Sequence, residues 1–170
     1  METVSKGKDR FLIAIVVGIV LLVAAAVAVA LLRGGTPDYK TEDTAEAVAY
    51  NYLLALRLED YERAYSYLSP TLVHYPANAD QFVQDVRSAG WPFNPTQEDV
   101  SLTIEQVIPG KTQTIVQVRE TRYHQGGPFD SGEYSDTFDV ILKNEPSGWK
   151  IVEAGRYWYG CWNSTVENCK

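Results

Sequence analysis

The sequence predicts an α+β protein: one membrane-spanning helix, then three helices packed on one face of a curved antiparallel sheet of about four strands. Three observations predict it. Phe11–Leu32 is an uncharged run of 22 residues. Between Thr41 and Gly90 apolar residues recur at helical spacing, and from Val100 onward the period becomes twofold. Helices first and strands afterwards is the α+β order, with helices gathered on one side of a sheet.

The apolar run comes first. As a helix rising 1.5 Å per residue it spans roughly 33 Å, enough for a hydrocarbon core of about 30 Å. Ala28-Val29-Ala30 resembles a signal-peptidase site, but a signal peptide's apolar core is usually about 7–15 residues, so an uncleaved anchor is expected. Lys6, Lys8 and Arg10 precede the run and Arg33 alone follows it closely. The positive-inside rule then places residues 1–10 in the cytoplasm and the body outside it, on a single-pass protein of the cell membrane. Gly18 is the one glycine of the run, so no GxxxG pairing motif exists.

After residue 33 the chain carries 11 Lys+Arg against 20 Asp+Glu, a formal net of −9. Such an acidic body lacks the clustered cations that nucleic-acid backbones require, and it does not suit anionic lipid headgroups. Its 137 residues fit one domain with a real core. Cys161 and Cys169 are the only cysteines. Outside the cytoplasm they are expected to form a disulfide closing a small loop in the tail. Asn163-Ser164-Thr165 is an N-glycosylation sequon, relevant only in a host that glycosylates.

Residues 33–40 read as a short polar linker. Thr41 or Asp43 can cap a helix in which Ala45, Val48, Ala49, Tyr52 and Leu56 form one apolar stripe. Leu58-Glu59-Asp60 interrupts the stripe, and Asp60 caps a second helix carrying Tyr61, Ala64, Tyr65 and Leu68 as far as Ser69-Pro70. Pro70 can open a further turn through Val73. Asn78 to Gln81 has the form of a capping box, Phe82, Val83 and Val86 make a third apolar face, and Gly90 ends it. Trp91–Thr96, with two prolines, reads as a loop.

Val100, Leu102 and Ile104 alternate with polar residues up to a Pro109-Gly110 turn. Thr112–Tyr123 is a long strand, and Gly126-Gly127-Pro128 turns the chain. Tyr134, Phe138, Val140 and Leu142 share one face of the next strand. Asn144–Gly148 connects to the closing strand Trp149–Ala154.

The stretch AYNYLLALRLEDYERAYSYLSP and the closing SGWKIV (Ser147–Val152) carry a resemblance. Together they are similar to the first two helices and the last hairpin of the nuclear transport factor 2-like (cystatin-like) superfamily, over roughly residues 41–155, with 156–170 as a tail. The resemblance implies a cone whose mouth, between helices and sheet, forms the binding or catalytic pocket. Tyr50, Tyr52, Tyr65 and Phe138 are its candidate lining. Isomerase and cyclase relatives place an acid/base carboxylate or histidine beside a tyrosine there, which makes Asp136, His74 and His124 the catalytic candidates. Asp136 shares the parity of Phe138, so it is expected to face inward or to pair with Arg119 or Arg122 across the hairpin. Both histidines read as loop or strand-end residues.

No P-loop, GxSxG, HExxH or metal-ligand cluster is present, so no cofactor or metal is expected. The leading expectation is a non-catalytic, membrane-tethered module binding a protein partner or small ligand. A small isomerase or hydrolase, and a carrier of lipid or another hydrophobic ligand, are the alternatives. Single-pass anchors carrying such domains resemble secretion-system assembly factors and accessory domains of cell-wall transpeptidases, which implies an envelope protein partner. Pairing through the open sheet face is common in the superfamily. Val116 and Val118, with Ile115 and Ile141 opposite, therefore point to a homodimer.

Overall fold

A computed structural model describes residues 6–33, 38–90, 100–127, 130–165 and 169, and divides into two compact units, Met1–Asp38 and Tyr39–Lys170. The Trp91–Thr96 loop and Pro128 of the predicted turn lie outside the described residues.

In the first unit, helix α1 (Lys6–Arg33) holds a 20-residue stretch, Arg10–Val29, of mean hydropathy 3.3. Its large apolar side chains from Phe11 to Val29 are exposed. The helix is long and apolar enough to cross a membrane.

In the second unit, α2 (Ala45–Arg57) starts at Thr44 rather than at Thr41 or Asp43. The Thr44 hydroxyl accepts from the Ala47 N–H at 3.1 Å, satisfying one of the donors a helix start leaves open. Ala45, Val48, Ala49, Tyr52 and Leu56 are all buried, as their spacing predicts. Glu59 adopts a left-handed φ of 57°, which reverses the chain. Asp60 then caps α3 (Tyr61–Ser66) by accepting from the Arg63 N–H at 3.3 Å.

The second helix is shorter than its apolar spacing predicts. The chain leaves it at Tyr67, and Leu68 makes a parallel bridge to Ile151. The Ser69 N–H donates to the Ile151 carbonyl at 2.8 Å and the Ile151 N–H to the Tyr67 carbonyl at 2.9 Å. Two sheet-like hydrogen bonds thus replace the helical ones that Ser69-Pro70 could not continue. Helix α4 (Ala79–Ala89) begins at Asn78, which accepts from the Gln81 N–H at 2.8 Å, and ends at Gly90, whose φ of 65° favours glycine.

Strands β1 (Val100–Pro109), β2 (Thr114–Gly127), β3 (Asp130–Glu145) and β4 (Gly148–Ala154) form one antiparallel sheet in sequence order. Val116 opposes Val140 and Val118 opposes Phe138. All four are buried on the helix-facing side, where α2 lies across every strand. Val116 and Val118 are therefore core residues and not part of a free face. Ile115 and Ile141, paired with each other, are half-buried on the outer face.

The segment after β4 is the largest departure from expectation. Rather than a mere tail, it supplies two of the bulkiest fully buried side chains, Tyr157 and Trp162. Trp162 lies in a 3-10 turn (Gly160–Trp162) and stacks on Phe82 of α4 at 5.2 Å. Its indole N–H donates to Asp85 at 2.8 Å, and its carbonyl accepts from the His74 N–H at 3.1 Å. Cys161 and Cys169 are disulfide-bonded, with Cα atoms 5.2 Å apart. Burial of an indole of about 200 Å² is worth about 5 kcal/mol at 25 cal/mol per Å². Trp162→Ala should cost about 3–5 kcal/mol, read as a lowered urea midpoint of the full chain in detergent. A loss below about 1 kcal/mol would contradict this packing.

Candidate functional site

Even-numbered residues of β2 face the helices, so the same parity that buries Val116 and Val118 turns Glu120 inward, where its side chain is 1% exposed. Asp136 of β3 is directly opposite Glu120. The third contributor is the segment leaving β4. Gly155 donates its N–H to the Asp139 carbonyl at 2.8 Å and sits so near Phe138 that a Cβ would fall 3.3 Å from the Phe138 Cβ. Two residues on, Tyr157 takes a left-handed φ of 56°, a costly conformation for a bulky side chain. That turn brings its ring against Phe138 at 5.7 Å and its hydroxyl inward. The Tyr52 hydroxyl of α2 donates to the Tyr157 carbonyl at 2.7 Å and holds the turn.

Glu120 is the centre of this arrangement. One carboxylate oxygen accepts from Arg122 and, at 3.1 Å, from Arg156. The other accepts from the Tyr157 hydroxyl at 2.9 Å. Arg156 also pairs with Asp136, so two carboxylates face two guanidiniums and formal charge balances. Burial alone would raise the Glu120 pKa. The bonds from Arg122, Arg156 and Tyr157 outweigh burial and hold it below the ordinary glutamate value of 4.5. Burial, with Glu120 beside it, pushes the Tyr157 phenol well up.

Chemically, this is a carboxylate fixed in its ionised form and bonded on both oxygens. A general base needs a pKa near the working pH and a free lone pair aimed at substrate. The Glu120 pKa is lowered, and its two oxygens accept from three donors, an arrangement that suits an ionic clamp. Among the described residues no group of three His, Cys, Asp or Glu is placed to hold a metal.

The residues singled out in the sequence are dispersed. Asp136 is half-buried and does lie on the Phe138 side, but its partner is Arg156 rather than Arg119 or Arg122. Arg119 is on the outer face with Glu105, and Arg122 is engaged by Glu120. His74 lies in the turn before α4 and borders a 480 Å³ groove with Tyr75, Asp85 and Tyr159. His124 is on β2 opposite Gly132, and its side chain lies outside the described residues. Tyr52 and Phe138 meet around Tyr157 in the core. Tyr65 instead bonds the Pro76 carbonyl at 3.1 Å and packs on Tyr75, while Tyr50 lies under the Lys40 ammonium at 4.6 Å. A 530 Å³ groove on the outer sheet face is bordered by Gln117, Asp139, Ile141 and Glu153.

Glu120 is missing from the sequence-based candidates and Arg122 enters there only as a partner for Asp136, although both continue the Val116–Val118 alternation that would have placed them inward. Arg156 and Tyr157 were not legible, because nothing periodic marks the turn that folds them back.

Fold and site together define an α+β domain with helices on one face of a four-stranded antiparallel sheet and an internally neutralised Glu–Arg–Tyr cluster on that face. No protein-family model and no curated protein sequence matches the chain. Solved structures do. One is an NTF2-like protein with a cystatin-like fold from Novosphingobium aromaticivorans, 14% identical, with TM-score 0.45 over 78% of this chain and 86% of that one. Another is an NTF-2-like protein of unknown function from Shewanella oneidensis, 10% identical, with TM-score 0.41 over 63% and 90%. A SEC-C motif protein from Rhodopseudomonas palustris is 17% identical, with TM-score 0.44 over 68% and 80%.

Glu120→Gln tests the clamp. Removing one partner of a fully buried ion pair costs about 3–5 kcal/mol, and the partly exposed arginines lower that to about 2 kcal/mol here. Because the folded pKa is depressed, this stabilisation is complete above the ordinary value of 4.5 and is lost as pH falls through the folded value. Urea unfolding at pH 7 should therefore separate wild type from variant most. The gap should shrink below pH 4.5, and a gap independent of pH would refute an ionised clamp.

Proposed function

We propose that the chain is a membrane-tethered, non-catalytic module whose sheet domain binds a protein partner or small ligand outside the cytoplasm. The observation that carries the non-catalytic part is the Glu120 clamp. Glu120 is buried on the helix-facing side of the sheet, both its oxygens are bonded, and its pKa is lowered. The tether rests on the Arg10–Val29 helix, and its direction on the positive residues before it.

The surface we assign to binding is the outer sheet face, where Ile115, Gln117 and Ile141 are half-buried and the 530 Å³ groove runs. A second copy using the same face in a twofold dimer is the simplest partner, since one patch then serves both sides. An envelope protein is the other.

Two measurements check this reading. A reporter enzyme active only outside the cytoplasm, fused after Lys170, should be active. Exchanging Lys6, Lys8 and Arg10 for glutamate should cut that activity severalfold, and an inactive fusion on the unaltered chain would overturn the topology. Light scattering of the full chain in mild detergent should give a dimer mass that Ile115→Asp or Ile141→Asp halves. A wild-type monomer that also captures no partner at native expression would overturn the binding role.

A further inference from the structure

On β3, Val140 and Leu142 are buried against the helices, so the odd-numbered Asp139, Ile141 and Lys143 point to the outer face. Each belongs to a cross-strand row. Asp139 is opposite Gln117, Ile141 lies between Ile115 and Glu153, and Lys143 is opposite Lys150. Along this one strand the face therefore runs from acid to isoleucine to base, with each charge about 7 Å from Ile141. Asp139 is exposed, and its carboxylate accepts a long bond from the Gln117 amide at 3.4 Å. Lys150 commits its ammonium to the Ser66 carbonyl. Among the described residues neither Asp139 nor Lys143 belongs to an ion pair. At about 13 Å apart along an extended strand, the two cannot reach each other.

We infer that this face recognises a second copy of the chain in one register, about a twofold axis that crosses the strands over Ile141, with Asp139 of each copy paired to Lys143 of the other. The inference rests on the outer-face reading above and adds the axis and the residues that select it. A twofold axis lying across the strands reverses their direction and lays each strand over its own copy. Ile115 and Ile141 then meet their counterparts, while the acid on one side of Ile141 falls over the base on the other side. One symmetry operation makes both ion pairs. An axis running along the strands keeps every residue at its own level in the sheet, so it makes neither pair. Stacking with strands nearly aligned is one of the two ways sheets pack face to face. Glu153 meets its own copy in this register. It is exposed on the marginal strand β4, where solvent and salt screen the repulsion.

The test is charge exchange in the full chain, read by light scattering in mild detergent at low salt. Asp139→Lys sets lysine over lysine at both pairs, and Lys143→Asp sets aspartate over aspartate. Each should raise the dimer dissociation constant at least about tenfold. The double variant Asp139→Lys/Lys143→Asp should dimerise as wild type does. An equimolar mixture of the two single variants should form a heterodimer, because lysines at both positions of one chain then face aspartates at both positions of the other. That recovery also shows that each single variant is folded. Glu153→Gln should tighten the dimer. A wild-type dimer that Ile141→Asp breaks but the charge variants leave unchanged would keep the face and overturn the register. A double variant as weak as the single ones, or a mixture that stays monomeric, would overturn it too. A monomeric wild type would overturn the outer-face dimer itself and this inference with it.

Discussion

The left-handed turn at Tyr157 is the constraint on which the body depends. Its carbonyl accepts from Tyr52 of α2, its ring meets Phe138 of β3, and its hydroxyl donates to Glu120 of β2. One residue thus ties a helix, two strands and the C-terminal segment. Its strained backbone persists because three independent contacts fix it, and a buried hydroxyl and carboxylate are satisfied only when all are made. The helix-facing side of the sheet is therefore filled from the end of the chain. Trp162, five residues on, extends the same filling to Phe82 and Asp85 of α4.

Much of this was legible wherever one local rule governs. Asp60 and Asn78 cap helices as their types demand, Gly90 stops one, and the alternation from Val100 gives four strands. Legibility failed where a distant partner decides. The second helix ends early because Ile151 offers Tyr67 and Ser69 better hydrogen bonds than the helix can past Ser69-Pro70. Val116 and Val118 could be assigned to a face by parity, but which face the helices cover depends on where α2 lies. The same reasoning applies to the site. Glu120 was on the inward parity, whereas Arg156 reaches it only through the Gly155–Tyr157 turn, for which no periodic signal exists.

The clamp also gives the acidic composition a local meaning. A net charge of −9 on the body sets the general field, yet the one fully buried carboxylate among the described residues, Glu120, faces two arginines. Negative charge is excluded from the interior unless it is matched, and the surplus is left to the surface. Long-range attraction of anionic partners is accordingly weak.

The Leu68–Ile151 bridge has a consequence for how these molecules meet one another. An open sheet normally ends in strands whose unpaired amides and carbonyls invite a neighbour to add on. Here Tyr67–Ser69 covers part of the β4 margin. On the other margin, β1 carries a bulge at Glu105, which is paired with Arg119 and interrupts the regular ladder. Strand-by-strand polymerisation thus meets an obstacle at each end of the sheet.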